Sequence, residues 1–169
     1  MPQEIERKFL LNDKEVPKDL LENTVSLDLI TQFYTVADED LEIRYHRQVN
    51  IDGEVSCFKT AKCGVGLKRS EDITPITEEA FGNTLYPDSR TPIHKCRISA
   101  IDDETGLEFE IDTYQGVLFG LRVVEVEFKT EEEAHKFKVP EWFGKEVTYD
   151  SSYKNKNLWR KINQLETLG

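Results

Sequence analysis

Apolar and polar residues alternate along most of this chain, a period of two that puts successive side chains on opposite faces of a strand. Across residues 107–112, Glu108, Glu110 and Asp112 share one face, and Leu107, Phe109 and Ile111 share the other. Residues 124–128 repeat the pattern, with Glu125 and Glu127 set against Val124, Val126 and Phe128. Glu42, Arg44 and His46 share a face, as do Glu4, Glu6 and Lys8. The alternation predicts eight strands, near 2–10, 27–36, 40–48, 54–62, 68–76, 92–101, 107–114 and 121–128. Turns fall at Asn50 to Gly53, at Asp102 to Gly106, and at Gln115-Gly116 and Gly120. Helices are few. Thr77 caps 78–83 and Thr130 caps 131–137, each with glutamates in the first turn. A C-terminal helix is predicted over 152–165. Short strands joined this way suit a sandwich or a barrel, with residues 1–169 as one domain.

Composition narrows the function. Charged residues make up 33% and hydrophobic residues 38%, and no apolar run is long enough to span a bilayer. The opening Met-Pro-Gln-Glu lacks the basic and apolar stretches of a signal peptide, so a cytoplasmic protein is expected. The net charge of −11 argues against nucleic-acid or anionic-membrane partners, which need a positive surface. Cys57, Cys63 and Cys96 are odd in number and do not have zinc-site spacing, which points to free thiols in a reducing compartment. His94 and His135 are read as surface or packing residues.

The polar faces are not random mixtures. Some are acidic (Glu4, Glu6, Glu110, Asp112, Glu125, Glu127), and others are basic (Lys8, Arg44, Lys62, Arg69, Lys95, Arg97). If the strands close into a barrel, these faces converge on a charged interior. Such an interior is costly unless its charges are paired or a charged ligand fills it. A metal-chelated polyphosphate would supply both signs at once. The apolar faces would then pack outward, under the helices.

Glu4-Ile5-Glu6-Arg7-Lys8 resembles the Glu-x-Glu-x-Lys signature of the CYTH superfamily, the triphosphate tunnel metalloenzymes. The resemblance continues through Gln32-Phe33-Tyr34, Glu42-Ile43-Arg44, Thr60-Ala61-Lys62, Gly66-Leu67 and Arg69-Ser70-Glu71. It extends to Lys95-Cys96-Arg97, Glu110-Ile111-Asp112, the 124–128 strand, the 142–148 stretch and Tyr153-Lys154-Asn155-Lys156. It is nearest the short bacterial members with inorganic triphosphatase activity. It implies an α+β, mainly β fold: an eight-stranded antiparallel closed barrel forming a tunnel, with peripheral helices and a C-terminal helix. It also implies hydrolysis or cyclisation of triphosphate-bearing small molecules with Mg2+ or Mn2+.

The residues allow the following roles. Oxygen-donor carboxylates suit these cations, and the expected metal set is Glu4, Glu6, Glu71, Glu110, Asp112, Glu125 and Glu127. Lys8, Arg44, His46, Lys62, Arg69, Lys95 and Arg97 are expected to bind the phosphates. Glu4, Glu6, Lys8, Tyr34 and Lys154 form the expected catalytic set, with Tyr34 orienting the terminal phosphate or the attacking water and Lys154 closing one end. Three positions depart from the family pattern: His46 replaces an arginine, Ile73 a glutamate and Phe33 a glycine. A partly charged histidine should hold phosphate less firmly. Inorganic tripolyphosphate is the first expected substrate, with nucleoside triphosphates second. The alternatives are a class IV adenylyl cyclase making cyclic AMP from ATP, and a catalytically weak polyphosphate- or nucleotide-binding module. A homodimer is allowed.

Overall fold

Eight strands close on themselves because each carries one apolar and one polar face and every neighbouring pair runs antiparallel. The computed structural model describes residues 3–64, 68–87 and 90–164. Its elements are β1 (Gln3–Leu10), α1 (Lys18–Glu22), β2 (Thr24–Ala37), β3 (Leu41–Asn50), β4 (Val55–Cys63) and β5 (Lys68–Ile76). There follow α2 (Glu78–Leu85), β6 (Ile93–Ile101), β7 (Glu108–Tyr114), β8 (Arg122–Glu127), α3 (Glu131–Lys136) and α4 (Asn155–Ile162). The barrel order is β1-β5-β4-β3-β2-β6-β7-β8, with β8 returning to β1.

Register decides what faces inward, because residues directly opposite each other in a ladder lie on the same face. Glu4 pairs with Arg69, Glu6 with Glu127 and Lys8 with Glu125. Arg44 pairs with Thr60, Lys62 with Glu71, and Arg97 with Asp112. The polar faces therefore meet inside the barrel, as the charge pattern predicted. The apolar faces point outward and are buried beneath helices and loops. Phe9, Phe109, Val124 and Val126 pack under Phe143 and Ala134, and Phe33 packs under Phe81 of α2. Trp159 of α4 packs against Tyr34, which shares the inward face of its partner Arg44, with ring centroids 5.6 Å apart. Each such buried ring contributes roughly 2 kcal/mol of transfer free energy.

Thr77 and Thr130 cap their helices as expected, accepting from Ala80 N at 3.0 Å and Glu133 N at 3.1 Å. Three elements differ from expectation. β2 starts at Thr24 and carries a bulge between Tyr34 and Val36. α1 was not predicted. The C-terminal helix begins at Asn155, because Asp150 accepts from Ser152 N at 3.1 Å and holds Ser151–Tyr153 as a single 3-10 turn. Its predicted end at Leu165, and the Gly66-Leu67 turn, lie outside the described residues. Cys57, Cys63 and Cys96 are free thiols. Among the described residues no helix is long and apolar enough to cross a membrane.

One wall has a seam. β1 and β5 pair only over Gln3–Ile5 on the β1 side. Further along β1, residues 144–148 take over the same edge. Val147 N donates to Lys8 O at 2.8 Å, Leu10 N to Lys145 O at 2.9 Å and Gly144 N to Leu10 O at 2.6 Å. Lys8 N donates to Thr148 Oγ1 at 3.0 Å. A Cβ on residue 144 would run into the Leu10 carbonyl oxygen, so the strap needs glycine there.

Candidate active site

The inward-facing rows enclose a cavity of 290 Å³. Seven carboxylates and six cations line it, so neither charge dominates. From β1 come Glu4, Glu6 and Lys8, and from β8 Glu125 and Glu127. Arg44, Lys62, Arg69 and Glu71 come from β3, β4 and β5. Arg97 and Glu110 come from β6 and β7, Tyr34 from β2, and Lys154 caps the start of α4. These are the residues the charge pattern and the resemblance singled out. Glu42, Ile73 and Asn155 also line the cavity but were not assigned there. Glu42 shares strand parity with Arg44, so its position was readable. A larger cleft of 740 Å³ lies outside the barrel, beside the 102–107 turn and α3, and gathers no comparable charge set.

The charges inside are paired across strands. Lys62 Nζ lies 3.1 Å from Glu4 Oε2, and Lys8 Nζ 3.2 Å from Glu125 Oε1. Arg69 meets Glu42 at 2.9 Å, and Arg97 meets Glu110 at 2.9 Å. Lys8 also donates to the Tyr153 carbonyl at 3.2 Å, which joins β1 to the approach to α4. Burial pushes the Glu125 carboxyl up, but Lys8 and Arg97 outweigh it and hold the group down at about 2. For Glu6 the balance falls the other way. Burial and the neighbouring Glu125 and Glu4 raise it well above the usual carboxylate range. Glu71 and Glu127 are also raised, by burial and then, despite Lys62, by nearby glutamates. Glu110 is pushed up to about 7 by burial, although Arg97 opposes it. Burial raises Tyr34 far above the ordinary phenol range, so its hydroxyl keeps its proton.

Three expected site residues do not line the cavity. Asp112 is 1% exposed and is consumed by two cations. Lys95 Nζ lies 2.8 Å away, and Arg97 donates to it twice, at 2.8 and 2.9 Å. Both of its carboxylate oxygens are turned to these cations. Lys95 is 0% exposed beneath the same carboxylate, and burial lowers it to about 8. His46 was expected to be a partly charged phosphate contact. Burial and then Arg44 push it down to about 3, so it is neutral. Its Nε2 donates to Gln48 Oε1 at 2.8 Å, and its Nδ1 accepts from Gln32 Nε2 at 2.9 Å. Both ring nitrogens are engaged. Among the described residues no group of three or more His, Cys, Asp or Glu side chains stands ready to hold a metal ion.

No family model matches the chain. A protein of Nitrosomonas europaea named inorganic triphosphatase is 36% identical over 156 residues, spanning 92% of this chain and 95% of its own length. One of Acetivibrio thermocellus, also named inorganic triphosphatase, is 30% identical over 158 residues, 94% of each chain. The solved crystal structure of an inorganic triphosphatase superposes with a TM-score of 0.63 at 34% identity, covering 94% of this chain and 95% of that one. With this identity over nearly its whole length, the chain belongs to the inorganic triphosphatase family.

Proposed function

We propose that this protein hydrolyses triphosphates, inorganic tripolyphosphate first among them, with a divalent cation as cofactor, as a member of the CYTH or triphosphate tunnel superfamily. The observation that carries the reading is the enclosed cavity in which cations and carboxylates face one another across strands. A polyanion carrying a divalent cation complements both sets. Relatives named inorganic triphosphatase support the same reading.

Phosphoryl transfer needs little covalent help from the protein and much placement and charge stabilisation. Arg44, Lys62, Arg69 and Arg97 would hold the phosphates in line, the arginines able to donate two hydrogen bonds to one phosphate. Lys8 and Lys154 would sit against the phosphate nearest α4. Tyr34, protonated, would donate to a phosphate oxygen. Asp112 and Lys95 would keep Arg97 aimed from behind.

The donor set fits a hard divalent cation. Glu4, Glu6, Glu71, Glu125 and Glu127 are oxygen donors, and Glu6, Glu71 and Glu127 are held above their usual range by burial and then by neighbouring glutamates, Glu4 among them in each case. Mg2+ binds through one or two carboxylates, waters and the phosphates themselves, so a ready-made protein cage is not required. When bound, Mg2+ or Mn2+ would neutralise phosphate charge and lower the pKa of a bound water.

The test is phosphate release from tripolyphosphate by the purified protein with Mg2+ or Mn2+, with and without chelator. Activity should disappear with chelator and fall by about 100-fold or more in a Glu4→Gln, Glu6→Gln double variant. Release indifferent to both would end this reading. Tight binding of tripolyphosphate without turnover would make the protein a binding module. Cyclic AMP formed from ATP would make it a cyclase.

A further inference from the structure

Lys156, the second residue of α4, is 1% exposed and takes no part in the chemistry proposed for the cavity. It does not serve its own helix, because a cation in the first turn faces the positive end of the helix dipole. Burying an ammonium group is costly unless its donors are used. Here they are used on another part of the barrel. Nζ donates to Asp38 O at 2.6 Å and to Glu39 O at 2.7 Å, in the turn between β2 and β3. It also lies 3.7 Å from Glu42 Oε1.

Both connections lead to Arg69. The same oxygen, Glu42 Oε1, lies 2.9 Å from Arg69 Nη2. The turn that Lys156 pins leads there as well. Gly64 N donates to Asp40 O at 3.0 Å, and Gly64 O accepts from Arg69 Nε at 3.1 Å. The guanidinium is therefore held at Nε and at Nη2 by groups that Lys156 anchors. Arg69 lines the cavity, and an arginine donates two hydrogen bonds to one phosphate only when its plane is aimed. Resting on the triphosphatase reading above, we propose that Lys156 is a positioning residue for phosphate binding. Through Glu42 and the β2–β3 turn it sets the plane of Arg69, without itself lining the cavity.

The experiment measures kcat and KM for tripolyphosphate, with Mg2+, in the full chain and in Lys156→Met, each below its thermal midpoint. KM should rise by about tenfold while kcat stays within about threefold, the pattern of lost binding. Lys156→Arg, which keeps the charge and its donors, should bring KM back to within about threefold of wild type. In an Arg69→Met background, Lys156→Met should raise KM no further, because both changes act on one guanidinium. Where turnover is too slow to follow, calorimetric Kd for tripolyphosphate replaces KM. If Lys156→Met does not fold, Lys156→Gln takes its place under the same criteria. An unchanged KM in the folded neutral variant overturns the proposal. So does an equal rise with and without Arg69, which would make Lys156 an anchor of α4 alone. Either result leaves the triphosphatase reading standing. A wild type that releases no phosphate from tripolyphosphate removes both.

Discussion

Asp112 grips Arg97 with both carboxylate oxygens, accepting from Nε at 2.8 Å and from Nη2 at 2.9 Å. The same carboxylate neutralises the fully buried Lys95 at 2.8 Å. Asp112→Ala therefore leaves the buried Lys95 without its anion and Arg97 with Glu110 alone. The expected cost is about 3 kcal/mol of stability, read by urea unfolding, because an uncompensated buried charge is expensive. KM for tripolyphosphate should rise as Arg97 loses its aim. Full stability combined with lost metal affinity would instead return Asp112 to the metal-binding set.

His46 makes folding sensitive to mild acid. Its pKa in the folded protein is about 3, against an ordinary value of 6.5. Below 6.5 the unfolded chain takes up a proton that the folded protein refuses, so stability is full above 6.5 and falls as pH drops toward 3. Between pH 7 and pH 5 the wild type should lose about 2 kcal/mol more than a His46→Gln variant. Equal losses in paired denaturant titrations would show that His46 is not the sensitive group.

Glu6 offers a direct test of where a cation binds. Burial, with Glu125 and Glu4 beside it, holds a proton on this carboxyl well above the usual range. Adding Mg2+ to the free protein at a mildly acid pH, above the usual carboxylate range, should displace that proton. Calorimetry in buffers of different ionisation enthalpy should register proton release, and Glu6→Gln should abolish it. Binding without proton release would locate the cation away from Glu6.

Gly144→Ala should loosen the seam. The new methyl group would meet the Leu10 backbone oxygen, which has no room to yield within the ladder. A loss of about 1–3 kcal/mol is expected from the thermal midpoint, the range for overpacking. Turnover should drop as well, since Lys8 receives its backbone partners from this strap.

The strands were legible because alternation is a local property that tertiary packing rarely reverses once one face is buried. Strand parity also brought most of the cavity lining into view, from Glu4 to Glu127, whereas Lys154, ahead of the last helix, came from the resemblance. Parity reports which face a residue occupies, but not its depth. That is why Asp112 and Lys95, sealed behind Arg97, looked the same as Glu110 at the cavity surface. The state of His46 was hidden for a related reason. Its neutrality comes from burial and then from Arg44, with Arg97 and Lys95 adding to it from another strand. α1 gave no signal of its own: five residues long, it buries only Leu20 and owes its place to the surrounding shell.

The seam between β1 and β5 has a consequence for synthesis. Lys8 draws one of its backbone partners from a residue 140 positions downstream. On the ribosome the nascent barrel must therefore stay unlatched until nearly all of this sequence has emerged. Until then its opposed charges remain hydrated, and the pocket that would take a phosphate chain does not yet exist. Contacts this distant along the chain are slow to form. The side door thus closes late, through the segment that leads into α4.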